Sequence, residues 1–185
     1  SFRRIVFDEL CANFFTLSEN RKIIKKTKLP KIFLNEISNN IEKKLPFNLT
    51  KSQQAVLAEI NEDLSSKKRM FRIVQGDVGS GKTIVSLLAI SNIIESSYQC
   101  ALMAPTEILA KQHFELAKKI YKDTNFKIEF LSGKTEIKNR KEILKNLASG
   151  TTNLLIGTHA LFQKKIIFKK LGFIVIDEQH KFGVK

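Results

Sequence analysis

Gly76, Gly81, Lys82 and Thr83 stand in the spacing G-x-x-x-x-G-K-[ST], a pattern suited to holding the phosphates of a nucleotide. Phosphates carry dense negative charge, and a helix N-terminus offers unpaired N–H groups and the positive end of a dipole. Gly76, Gly79, Ser80 and Gly81 make a small, glycine-rich turn that lets the backbone curl close around an anion. Lys82 adds a mobile cation for the outer phosphates, and Thr83 a hydroxyl oxygen of the kind that Mg²⁺ prefers. The bland alternative is a glycine-rich turn with a solvated lysine. Context argues against it: the apolar run Phe71–Val74 predicts a strand before the turn, and the apolar-periodic Ile84–Ile94 predicts a helix after it.

A second constellation closes the chain. The apolar run Phe173–Ile176 predicts a strand that ends in Asp177 and Glu178. An acid at a strand tip can hold Mg²⁺ through its waters, and a neighbouring acid can orient or deprotonate an attacking water. Two acids after a strand are common. The phosphate loop upstream is what gives these two a catalytic meaning, with Lys82 as their partner. His159 and His180 also follow strands, and each reads as a switch residue or as an ordinary structural histidine.

These residues need a scaffold that brings them to one place. From Met70 onward, strand and helix alternate. Strands are expected at 71–74, 100–104, 127–131, 153–156 and 173–176, with helices at 82–96, 107–121 and 136–149 between them. Continuous apolar runs point to strands covered on both faces. Repeated βα units with short links give a doubly wound parallel sheet, whose ligands bind at the carboxyl ends of the strands. The fold class is therefore α/β, a P-loop lobe preceded by a helical segment. The domain division is 1–46 for that segment and 47–185 for the lobe.

Upstream, Phe2, Val6, Leu10 and Phe14 trace one helical stripe, and Phe33, Ile37 and Ile41 a second that Pro46 closes. A third helix follows Thr50, with Val56, Leu57, Ile60 and Leu64 on its apolar face. Thr50-x-x-Gln53 is a capping-box pattern. The Gln53 amide could equally pair with an adenine edge, since it offers one donor and one acceptor. Both readings stand at the level of sequence.

Lys+Arg number 32 against 18 Asp+Glu, a formal net charge of +14, which favours polyanionic partners. Most of the excess is lysine in scattered clusters, the pattern of solvated faces as much as of a binding surface. Thr106, Ser132, Gly133, Lys134 and Thr158 follow strands and could hold a nucleic-acid backbone, or simply serve as turns and caps. No apolar run suggests a membrane span. Cys11 and Cys100 are far apart and form neither a metal motif nor a disulfide framework, which fits a reducing, cytoplasmic setting.

The ordered set of motifs resembles superfamily 2 helicases. It comprises Gly76–Thr83, Ala104-Pro-Thr-Glu-Ile-Leu-Ala110 with Gln112-His113, Gly157-Thr-His-Ala-Leu161, and Asp177-Glu-Gln-His180 with Phe182-Gly-Val184. Arg3-Arg4 with Phe7-Asp-Glu-Leu10, and Leu45-Pro-Phe47 with Leu49, Thr50 and Gln53, extend the likeness to the amino end. They favour the bacterial enzymes that remodel stalled forks and Holliday junctions over transcription-repair coupling translocases. The family commonly has arginine where this chain has Lys181, so charge is kept and bidentate contact is lost.

The resemblance implies ATP and Mg²⁺ as cofactors and branched or duplex DNA as partner. It implies adenine contact by Gln53, phosphate and Mg²⁺ contact by Gly79, Gly81, Lys82 and Thr83, and metal and water roles for Asp177 and Glu178. Coupling or DNA contact falls to Thr106, Gly133, Thr158, His159 and His180. It further implies a monomer, a wedge domain before Ser1 and a second motor lobe beyond Lys185, so that turnover by this chain alone is weak. The competing readings are a P-loop phosphotransferase and a non-catalytic nucleic-acid-binding module.

Overall fold

The computed structural model describes residues 28, 30–163 and 165–178. The helix expected over 2–17, together with His180 and Lys181, lies outside them. The described elements run α1 (Glu36–Lys44), α2 (Lys51–Ser65), α3 (Lys82–Glu95), β1 (Gln99–Met103), α4 (Glu107–Ile120), β2 (Ile128–Leu131), α5 (Ile137–Ser149), β3 (Leu154–Gly157) and β4 (Leu171–Ile176). A 3₁₀ turn at His159–Phe162, not anticipated from sequence, follows β3.

All strand pairs are parallel and the order is β2-β3-β1-β4. Alternate residues of β3 face opposite layers. Leu154 and Ile156 join the core beneath α3 and α4, whereas Leu155 packs with Leu131 and Leu147 on the side of α5. That is the two-sided cover expected of continuous apolar strands. Helix α3 is apolar nearly all round, and Val85 and Leu87–Ile94 are all buried. Of its polar residues, Ser91 donates to the Leu88 carbonyl and Asn92 to Asn61 Oδ1. Helix α1 packs on α3, with Ile41 in the same core and the Ile37 N–H donating to Glu95 Oε1 at 3.2 Å. No helix among the described residues is long and apolar enough to cross a membrane.

One expectation fails. Residues 71–74 form no strand: Phe71 is 54% and Ile73 57% exposed. Arg72, in the middle of the apolar run, bonds Asp63 at 2.7 Å and also Glu59, which ties the segment to α2. A cavity of about 690 Å³ is lined by Ile73 and Val74 of this segment together with Ile174 and Ile176 of β4. The segment joins no ladder of the described sheet.

Tyr121 closes α4 onto α3. Its hydroxyl donates to the Leu87 carbonyl at 2.6 Å inside the core. Burial, and then the neighbouring Cys100, push its phenol well above the usual tyrosine range. Tyr121→Phe removes this bond to a carbonyl that lies within helix α3, and should cost about 1 kcal/mol at neutral pH. Above about pH 10 an unfolded chain releases the phenol proton while the folded chain keeps it, so stability falls as pH rises. The phenylalanine variant lacks that loss. Thermal melts should show the gap between the two proteins narrowing as pH climbs past this point.

Candidate nucleotide site

Register places Leu131, Gly157, Met103 and Ile176 in one row across the four strands. The residues that follow them, Ser132, Thr158, Ala104 and Asp177, therefore share one rim of the sheet. The phosphate loop reaches the same rim from the side of α3.

The loop is shaped by its own contacts. Ser80 N–H donates to the Asp77 carbonyl at 3.2 Å, closing a turn. Gly81 caps α3 at φ 81°, a left-handed conformation that glycine adopts without a Cβ penalty. A Cβ there would also collide with the Gln53 amide. Lys82 Nζ donates to the carbonyls of Gly76 and Asp77, each at 2.7 Å, so its ammonium lies within the arc of the loop.

Gln53 performs the structural role and more. Thr50 and Gln53 form both halves of the capping box of α2: Thr50 N–H donates to Gln53 Oε1 at 2.8 Å, and Gln53 N–H to Thr50 Oγ1 at 3.2 Å. Gln53 Nε2 then donates to the Ser80 carbonyl at 2.8 Å, which ties the helix cap to the phosphate loop. The link between these two motifs, 27 residues apart, was not readable from their spacing.

Asp177 and Glu178 line the same cavity as Gly76, Lys82 and Thr83. Asp177 N–H donates to the Met103 carbonyl at 2.8 Å, which fixes the tip of β4 against β1. Glu178 takes a left-handed φ of 51°, uncommon for a residue with a Cβ. The arrangement fits a magnesium–triphosphate. The glycine-rich backbone, the Lys82 ammonium and the hard oxygens of Thr83 and Asp177 all border one cavity.

Sequence reasoning did not assign a role to His113. It is buried on α4 between Ala110 and Ala117, and its Nε2 lies 2.7 Å from Asp177 Oδ2. The available signal was an imidazole on a stripe that otherwise calls for small apolar residues.

The other candidates lie further along the rim. Thr106 caps α4 by accepting from Leu109 N–H at 3.3 Å. Gly133 is exposed in a turn where Ser132 N–H donates to Thr135 Oγ1. Lys134 Nζ approaches Glu107 Oε2 at 3.7 Å, so the loops after β1 and β2 adjoin. Thr158 is buried, while His159 is exposed in the 3₁₀ turn. The phosphate loop and the acids thus gather beside β4, and these residues gather at the ends of β1, β3 and β2.

A parallel α/β sheet, a glycine-rich loop opening a helix and an aspartate at a strand tip on the same cavity define a P-loop nucleotide-binding lobe. The DEAD/DEAH box helicase model matches residues 50–185, and the chain belongs to that family. It is 44% identical to the ATP-dependent DNA helicase RecG of Aquifex aeolicus over 184 residues, which are 98% of this chain and 23% of that enzyme. RecG of Bacillus subtilis is 42% identical over 185 residues, 99% of this chain and 27% of its own length. A structure of RecG bound to a three-way DNA junction matches with a TM-score of 0.82 at 38% identity, covering 92% of this chain and 23% of that one. The chain thus spans about a quarter of the length of these relatives. The resemblance read from the motifs holds.

Proposed function

We propose that this chain is the nucleotide-binding lobe of an ATP-dependent DNA helicase that acts on branched DNA, as a RecG-type motor does. The observation that carries the proposal is the shared cavity: the phosphate-loop lysine and the strand-tip acids border the same space. In this reading Gly76, Gly79, Ser80, Gly81 and Lys82 hold the triphosphate, and Thr83 and Asp177 hold Mg²⁺ or its waters. When bound, Mg²⁺ neutralises charge that develops between the outer phosphates. Glu178 orients or deprotonates the attacking water. Gln53 keeps one further N–H and one further lone pair for an adenine edge, beyond its bonds to Thr50 and Ser80. Thr106, Gly133, Thr158 and His159 lie on the part of the rim assigned to DNA, and His180 is proposed to couple the two ligands. Residues 1–46 serve as the lead-in to the lobe.

Nucleotide binding and ATP turnover by the purified chain, with and without forked DNA, test this. The expected outcome is Mg²⁺-dependent nucleotide binding with slow hydrolysis. Brisk hydrolysis that ignores DNA would contradict it, and phosphate transfer to a small metabolite would point to a phosphotransferase instead.

A further inference from the structure

We propose that His113 is a positioning residue for the Asp177 carboxylate, holding one of its oxygens so that the other is presented to the magnesium–nucleotide. The proposal rests on the Mg·ATP reading above.

Asp177 is gripped twice by one βα unit. Its backbone N–H donates to Met103 at the end of β1, and its side chain meets His113 on α4, the helix that follows β1. The imidazole is itself fixed. Its side chain is 7% exposed against 27% for the carboxylate, and Ala110 and Ala117 beside it on the helix are fully buried. Both partners border the cavity that Lys82 and Thr83 also line.

The chemistry follows from this placement. A carboxylate at a strand tip turns freely about its last torsion, and Mg²⁺ demands near-ideal octahedral geometry. A 2.7 Å bond from a buried ring sets that torsion and occupies Oδ2, which leaves Oδ1 to face the ligand. For this the ring must carry its proton on Nε2. Burying an imidazole where an apolar side chain would pack is costly unless its polar atoms are used. Partners that orient a metal-binding carboxylate or histidine in this way typically contribute 10–100-fold in metal affinity.

The test follows a fluorescent ATP analogue bound to the purified chain, titrated with Mg²⁺ and separately in EDTA. His113→Leu removes the donor, and His113→Gln keeps an amide N–H at similar reach. The leucine variant should need about 10–100-fold more Mg²⁺ for half-maximal tight binding, with the affinity in EDTA within about threefold of the parent's. The glutamine variant should recover most of the Mg²⁺ response. An unchanged Mg²⁺ requirement in the leucine variant would overturn the proposal, as would equal losses with and without Mg²⁺. If the parent itself shows no Mg²⁺-dependent binding, the Mg·ATP reading falls and the proposal with it, a result distinct from a leucine variant that matches a competent parent. Should His113→Leu not fold, the nitrogen NMR spectrum of the parent imidazole decides. A proton on Nε2 supports the role, and a proton on Nδ1 alone overturns it.

Discussion

If the chain binds Mg·ATP as proposed, Lys82→Ala is expected to lower that affinity by about 100-fold, equivalent to roughly 3 kcal/mol. The ammonium already makes two short bonds inside the loop, to the carbonyls of Gly76 and Asp77. A triphosphate offers anionic acceptors in place of these neutral ones, and bonds between two charged groups are roughly twice as strong. Lys82→Arg should not restore binding, because the planar guanidinium is too broad for an arc built around a compact ammonium. The fold should survive either change, since Lys82 is the half-buried first residue of α3 and lies outside the helix's buried core. Titration with a fluorescent ATP analogue, alongside a thermal melt, separates the two effects. An alanine variant with parental affinity would remove the loop from the nucleotide site.

The largest expected loss of stability comes from a single added methyl group. Gly157 ends β3 between two neighbours, pairing with Leu131 on one side and Met103 on the other. A Cβ at this position would run into the Leu131 carbonyl oxygen and meet Leu161 Cδ2 at 3.3 Å. The obstacle is backbone, and β3 cannot retreat without breaking the bond from Ala104 N–H to the Gly157 carbonyl at 3.0 Å. Gly157→Ala should therefore cost about 3 kcal/mol, or roughly 6–12 °C in Tm for a chain of this size. Calorimetry reads this directly, and an unchanged Tm would show that the strands have more room than the structure gives them. The result also bears on the motif Gly157-Thr-His-Ala-Leu161, whose first member owes its identity to strand packing, whatever the residues after it contact.

Much of this architecture could be read from local chemistry. Pro46 closes α1, Thr50 and Gln53 open α2, and Gly150 ends α5 at φ 86°. Each signal acts within a few residues of its effect, which is why single-sequence reasoning finds it. That the phosphate loop and Asp177–Glu178 border one cavity was expected for a related reason: the loop opens an apolar helix and the acids end an apolar strand. The failures are matters of distant pairing. An apolar run such as 71–74 does not say which strand edge it will meet, and the partners of Arg72 are 9 and 13 residues away on another element. The His113–Asp177 pair spans 64 residues and joins a helix to a strand tip. A one-turn helix such as His159–Phe162 has too few residues for a periodic signal.

In the proposed function one metal–nucleotide touches both the loop and the strand-tip acids. A crystal structure with Mn²⁺ and a non-hydrolysable ATP analogue, with the metal located by its anomalous signal, tests it most directly. The expected result is a metal between the Thr83 hydroxyl and the Asp177 carboxylate, with the outer phosphates at Lys82. A nucleotide seated elsewhere, or a metal with no path through Asp177 even by way of water, would contradict it.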